Sequence, residues 1–162
     1  MSGFLELPLP AKEVHRRYWD GTIPVNPIAL AHGMGVQVYQ SPSLPVIGEF
    51  YYDDDGNPVI IFQPSGYGKR DRFTVAHELG HFCLQHGQHG HRFRDQTQNF
   101  NIHNFDPKER AANRFAAELL MPENVVLYAV RQSDMKTVEE MSNYFDVSGL
   151  AMRIRLQGLG IL

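Results

Sequence analysis

Cysteine is nearly absent: Cys83 stands alone in 162 residues, so an internal disulfide is excluded. Long apolar runs are missing too, none approaching the roughly 18 residues of a membrane-spanning helix. No basic-then-apolar leader opens the sequence, and the expected location is the cytoplasm, with no membrane partner. Nor does one sign of charge dominate. Lys and Arg number 15 against 18 Asp and Glu, a net charge of −3 with a sequence pI near 6.2. That balance excludes the broad basic field that binds nucleic acid without regard to sequence. What remains is an ordinary globular composition, 43% apolar and 20% charged with 14 Gly and 10 Pro, on a length suited to one compact domain. The unusual residue is histidine, for of eight copies five fall between His77 and His91.

Cap and turn signals divide the chain into short elements. Val14, Tyr18 and Trp19 fall at helical spacing within Ala11 to Trp19. Asn26 as N-cap with Pro27 at the first helical position opens a second helix, which Gly33 or Gly35 ends. Three segments then read as strands: Val36 to Tyr39, Val46 to Tyr52 and Pro58 to Phe62, the last two joined across Asp54, Asp55, Gly56 and Asn57. They predict a small, mostly antiparallel three-stranded sheet. A helix follows from about Asp71 to Gln85 and is apolar nearly all round, with Val75, Ala76, Leu79, Phe82 and Cys83 behind and Phe73, Gly80 and Leu84 flanking the front. Such a helix is buried. Residues His86 to Asn104, rich in Gly, His, Gln, Asn and Arg, read as a long surface loop. Beyond it a helix runs from Pro107 to Met121, between the cap Asp106 and the stop Pro122. Two more helical patterns close the chain, around Thr137 to Phe145 and from Gly149 to Leu159, the second with Ser148 as N-cap and Gly160 as terminator. The fold class is α+β.

The buried helix carries His77-Glu78-Leu79-Gly80-His81, the pattern H-E-x-x-H. Two His four apart lie within about 40° of one another, one turn up, so their imidazoles can converge on one cation with Glu78 beside them. On so apolar a helix unpartnered imidazoles are costly, which favours a metal over two histidines merely hydrogen-bonded in a core. A catalytic zinc takes three protein ligands and keeps one position for water. The extended pattern H-E-x-x-H-x-x-G-x-x-H is not met, because Leu84 and Gly87 stand where it requires Gly and His. On the helix from Pro107 to Met121, Glu109, Asn113, Ala116 and Leu120 share a face while Glu118 points the other way. Glu109 is therefore the preferred third ligand, and Asn113, one turn on, is placed to hold a ligand imidazole by a hydrogen bond. The alternatives are Glu109 as capping-box partner of Asp106, with His86, His89, His91 or His103 as ligand. With zinc in place, Glu78 serves as general base for amide hydrolysis without a covalent intermediate. Tyr67, His103 and Arg110 are equal candidates for the donor that steadies the oxyanion. Cys83, on the far side of its helix from both histidines, reads as a buried structural thiol.

Arg72-Phe73-Thr74 ahead of Ala76-His77-Glu78-Leu79-Gly80-His81, followed by Glu109-x-x-Ala112-Asn113-x-Phe115-Ala116-Ala117-Glu118-Leu119-Leu120-Met121-Pro122, closely resembles the ImmA/IrrE family of zinc metallopeptidases. Ile23-Pro24-Val25 is similar to that family's opening, and Phe145-x-Val147-Ser148-x-x-Ala151-Met152-x-x-Arg155-Leu156 to its closing segment, so the resemblance spans about Ile23 to Gly160. It implies a zincin-like, gluzincin-type fold with His77, His81 and Glu109 as zinc ligands and Glu78 as catalytic base. It also implies a substrate class. Family members cleave a partner repressor of helix-turn-helix type, often encoded beside them in phages, mobile elements and stress-response loci, and so relieve repression. The expected plan is 1–22 as lead-in and helix, 23–130 as metallopeptidase core and 131–162 as a helix-turn-helix-like tail packed on that core.

The 86–104 loop is not a fixed feature of the family pattern. Its Arg92 and Arg94, with Phe93 and Phe100 able to stack bases, make a nucleic acid or other activator one expectation for it and a solvated loop the other. In the tail, Arg131, Lys136, Arg153 and Arg155 are matched by Asp134, Glu139, Glu140 and Asp146, leaving no net attraction to phosphate. The apolar stripes Val138, Met141, Phe145 and Ala151, Ile154, Leu159 indicate a tail that packs. The competing function is a non-proteolytic regulator or toxin–antitoxin component whose zinc is structural and whose tail binds DNA or a partner protein. The two readings part at Glu78, since a structural site closes its fourth position with protein and needs no base beside it.

Overall fold

The computed structural model describes residues 5–86, the main chain of 92–95, and 106–162. Helix α1 (Ala11–Tyr18) starts directly after Pro10, and α2 (Pro27–Gly33) after Asn26, whose side-chain oxygen accepts the amides of Ile28 and Ala29 at 3.1 Å each. The chain then forms β1 (Gln37–Gln40), β2 (Gly48–Tyr52) and β3 (Pro58–Phe62). Asp53 closes the β2–β3 hairpin, its Oδ1 accepting the amides of Asp55 at 3.0 Å and Asn57 at 2.8 Å while Gly56 takes φ +83°.

The sheet has four strands in the order β1-β3-β2-β4, where β4 is Arg92–Asp95. β2 pairs antiparallel with both β3 and β4, and β1 pairs parallel with β3. The three expected strands are thus present, but the fourth lies inside the stretch read as a surface loop. Four residues with a single apolar side chain carry no legible period; main-chain bonding to β2 makes them a strand. The parallel pair arises because the chain leaves β1, passes the place of β3, and returns to it through the hairpin.

Helix α3 (Gly68–Cys83) lies across the face of the sheet to which Gly48, Phe50 and Ile60 point, with the rings of Phe50 and Phe82 5.9 Å apart edge to face. It begins three residues earlier than the apolar pattern suggests, because the Tyr67 carbonyl already accepts the amides of Arg70 and Asp71. Helix α4 (Pro107–Leu120) packs along α3. Helix α5 (Glu123–Gln132) has no counterpart in the sequence reading, where Pro122 is only a stop; with φ −56° it ends α4 and also opens the next helix. Helices α6 (Val138–Phe145) and α7 (Gly149–Gly158) complete the tail. Asp146 in the left-handed region ends α6, and Ser148 caps α7 by accepting the Ala151 amide at 3.1 Å.

Two guanidinium groups tie this tail to the rest. Arg72 of α3 donates from Nε to the Asp146 carbonyl at 3.1 Å and lies 3.2 Å from its carboxylate. Arg155 of α7 donates from Nε to the Met121 carbonyl at 3.1 Å. At the other end His15 of α1 donates from Nε2 to the Leu119 carbonyl at 2.9 Å. Burial holds the pKa of His15 below its ordinary value of 6.5. The unfolded chain therefore takes up a proton near that pH while the folded one resists it, so stability is intact above about pH 6.5 and declines as pH falls below it. His15→Gln keeps a donor for Leu119 and should flatten the fall in melting temperature between about pH 7.5 and about pH 5; an unchanged slope would show that this contact does not titrate.

Candidate metal centre

Helix α3 presents His77, Glu78 and His81 with no solvent exposure, and α4 brings Glu109, 6% exposed, against them. Nε2 of His77 lies 3.0 Å from Glu109 Oε2, Nε2 of His81 lies 3.2 Å from Glu109 Oε1, and the two Nε2 atoms are 3.2 Å apart. Ligand atoms about 2.0–2.2 Å from a tetrahedral zinc stand about 3.3–3.6 Å from one another, so this triangle is close to one face of such a tetrahedron. Nitrogen lone pairs and a carboxylate converging where water is excluded need a shared positive charge, and a divalent cation supplies it to all three at once. The residues fit a metal, and among the described residues they are the group of His, Cys, Asp and Glu whose ligand atoms lie together, all within 4.8 Å.

The far side of each imidazole is held as well. His77 donates from Nδ1 to Asn113 Oδ1 at 2.7 Å, which leaves the lone pair on Nε2 facing the triangle. His81 Nδ1 is 2.9 Å from Nδ1 of His86. Burial first, then His81 and Lys108, pushes the pKa of His86 down to about 4, so at neutral pH its ring is uncharged. His86, a rival third ligand on the sequence, therefore stands behind His81 and outside the triangle. Continuing the helix at 100° per residue misplaces it, because Gln85 turns to φ +59° and the His86 amide bonds back to the His81 carbonyl at 2.9 Å. No Gly or Asn marks that turn, so the sequence carries no signal for it.

Of the other residues singled out, Glu109 faces the two imidazoles rather than turning back to Asp106, whose side chain accepts the Lys108 amide at 2.9 Å. Glu78 turns its carboxylate toward Gly48 of β2. Tyr67 is exposed at the N-cap of α3, about 15 Å along the helix from His77. Arg110 is exposed and projects about 100° around α4 from Glu109. Neither is brought to the triangle. His89, His91, Phe100 and His103 lie outside the described residues, and Arg92, Phe93 and Arg94 are described only in their main chain. Cys83 is buried, its thiol donating to Met34 Sδ at 3.9 Å, and burial pushes its pKa up.

Close helix contact makes the triangle reachable. A Cβ on Gly80 would stand 3.1 Å from Phe115 Cδ1 and 3.3 Å from both Cα and O of Ala112. Backbone cannot yield there, so Gly80→Ala should force α4 outward. The expected outcome is a loss of about 1–3 kcal/mol in denaturant unfolding together with lost zinc affinity. Asn113→Ala should leave the unfolding midpoint nearly unchanged while zinc affinity, read by competition with a chromophoric chelator, falls about 10–100-fold. Wild-type affinity in that variant would remove Asn113 from the centre.

The sequence model of the IrrE N-terminal-like domain, a peptidase family, matches residues 31–157. No curated protein matches the chain. The matched span takes in both helices of the triangle, the sheet and the tail through most of α7. By a match over most of its length, and with a buried donor set fit for a metal, this chain belongs to the IrrE N-terminal-like peptidase family as a metallopeptidase.

Proposed function

We propose that this chain is a zinc-dependent endopeptidase that cleaves a helix-turn-helix transcriptional repressor in the cytoplasm and so relieves repression. The observation that supports it most is the buried triangle of His77, His81 and Glu109 with the carboxylate of Glu78 one residue away on the same helix. Three donors among the described residues are the number that a catalytic zinc takes from the protein. His77, His81 and Glu109 would hold the zinc, which would supply Lewis acidity toward water and a carbonyl there.

The chain's own residues do the rest. Glu78 accepts a proton from the attacking water and returns it to the leaving amine, so no covalent intermediate is needed. Asn113 fixes His77 in the tautomer that points Nε2 at the triangle, and His86 stands against Nδ1 of His81. The enclosed setting strengthens each of these polar contacts relative to water. The choice of a repressor as substrate is supported by the family resemblance of the two central motifs. For the 86–104 segment the reading keeps both expectations, a solvated loop or the contact of an activating nucleic acid or other effector. No helix among the described residues is long and apolar enough to cross a membrane.

Co-expression with the repressor encoded nearby tests the assignment. Glu78→Gln is nearly isosteric, so folding and zinc content should match wild type while cleavage drops by about 10²–10⁴-fold, seen as the loss of a shortened polypeptide on a gel. Cleavage at the wild-type rate by that variant removes Glu78 as the base, whereas no cleavage by the wild-type chain leaves the non-proteolytic regulator in its place.

A further inference from the structure

Gly48 begins β2 directly against the middle of α3. Its φ lies outside the left-handed region, so backbone conformation does not call for glycine here; space does. A Cβ on Gly48 would stand 2.9 Å from Oε1 of Glu78, 3.2 Å from Cγ of Glu78, and 2.9 Å from Cγ2 of Thr74. The strand cannot step aside, since Gly48 is buried and paired opposite Phe62 of β3 on one side and Asp95 of β4 on the other. Thr74 is also held, its hydroxyl donating to the Arg70 carbonyl at 3.1 Å. Glu78, fixed by its backbone between His77 and His81, can yield only at its carboxylate.

We propose that Gly48 is a positioning residue for Glu78: the bare main chain of β2 sets where the carboxylate lies and therefore where it aims. This rests on Glu78 being the base. Gly80 offers the contrast. There the atoms met by an added methyl include Ala112 backbone, so a substitution separates helices; at Gly48 they are all side-chain atoms, so a substitution displaces the carboxylate and spares the fold. Restoring ordinary contact needs a shift of about 0.5 Å or more, and misplacements near 1 Å in a reacting group cost about 10²-fold.

The test uses the full zinc-loaded chain and two chelating probes: a peptidyl hydroxamate, which also donates a hydrogen bond to a neighbouring carboxylate, and a peptidyl thiol, which binds through sulfur alone. Gly48→Ala is expected to keep wild-type zinc affinity and thiol affinity while hydroxamate affinity falls about tenfold or more, the loss also produced by Glu78→Gln. Thr74→Ser in the Gly48→Ala background removes the second close contact; it should recover any lost melting temperature and leave the hydroxamate defect in place. Wild-type hydroxamate affinity in Gly48→Ala overturns the proposal while Glu78 stands, as does recovery of that affinity in the Thr74→Ser double variant, which would make the defect one of strain. Wild-type hydroxamate affinity in Glu78→Gln overturns the role of Glu78 itself, and the Gly48 proposal with it.

Discussion

The contact between α3 and α4 at Gly80 and Ala112 is the constraint on which the centre depends. Its donor residues come from segments 32 positions apart, and the Glu109 carboxylate reaches the imidazoles because two helix backbones approach closely at Gly80 and Ala112. Ala112 and Ala116 on α4 are fully buried and extend the close seam by a further turn. A larger residue at Gly80 would push the two helices apart and draw Glu109 away from the imidazoles.

Burying two imidazoles and the Glu109 carboxylate together is costly unless each is answered. The arrangement answers them in layers. The atoms that face inward share the place of a cation, while the Nδ1 atoms of His77 and His81 are held by Asn113 and His86. The inner layer is therefore coupled to folding in the sense that a metal present only in the native state adds its binding energy to stability. In the outer layer Asn113 leaves the lone pair of His77 on Nε2, facing inward.

Helix α3 also links the centre to the tail. Lys69 donates to Asn143 at 2.7 Å, and Arg72 holds the end of α6, both from the turns ahead of His77. Desolvation lowers the pKa of Arg72, which the Asp146 carboxylate opposes; the guanidinium is thus committed to helix-end carbonyls and one acid. With its buried apolar residues Met141, Phe145 and Met152 in the common core, the tail is built as a supporting element of the same helix that carries the motif.

The sequence by itself determined the elements whose causes lie within four or five residues. Asn26, Asp106 and Ser148 cap helices where their side chains say they should. The H-E-x-x-H spacing places two imidazoles on one face, and the face argument that separates Glu109 from Glu118 agrees with where the Glu109 carboxylate lies. Tertiary structure alone decided β4, the parallel β1–β3 pair and the restart of the chain as α5 after Pro122. It alone decided that His86 backs His81, that Tyr67 and Arg110 stand away from the triangle, and that Gly48 meets Glu78. The division has one physical reason. Caps and helical faces are set by neighbours along the chain, whereas strand partners, close approaches and the reach of a side chain past a helix end depend on segments that meet only once the core has formed.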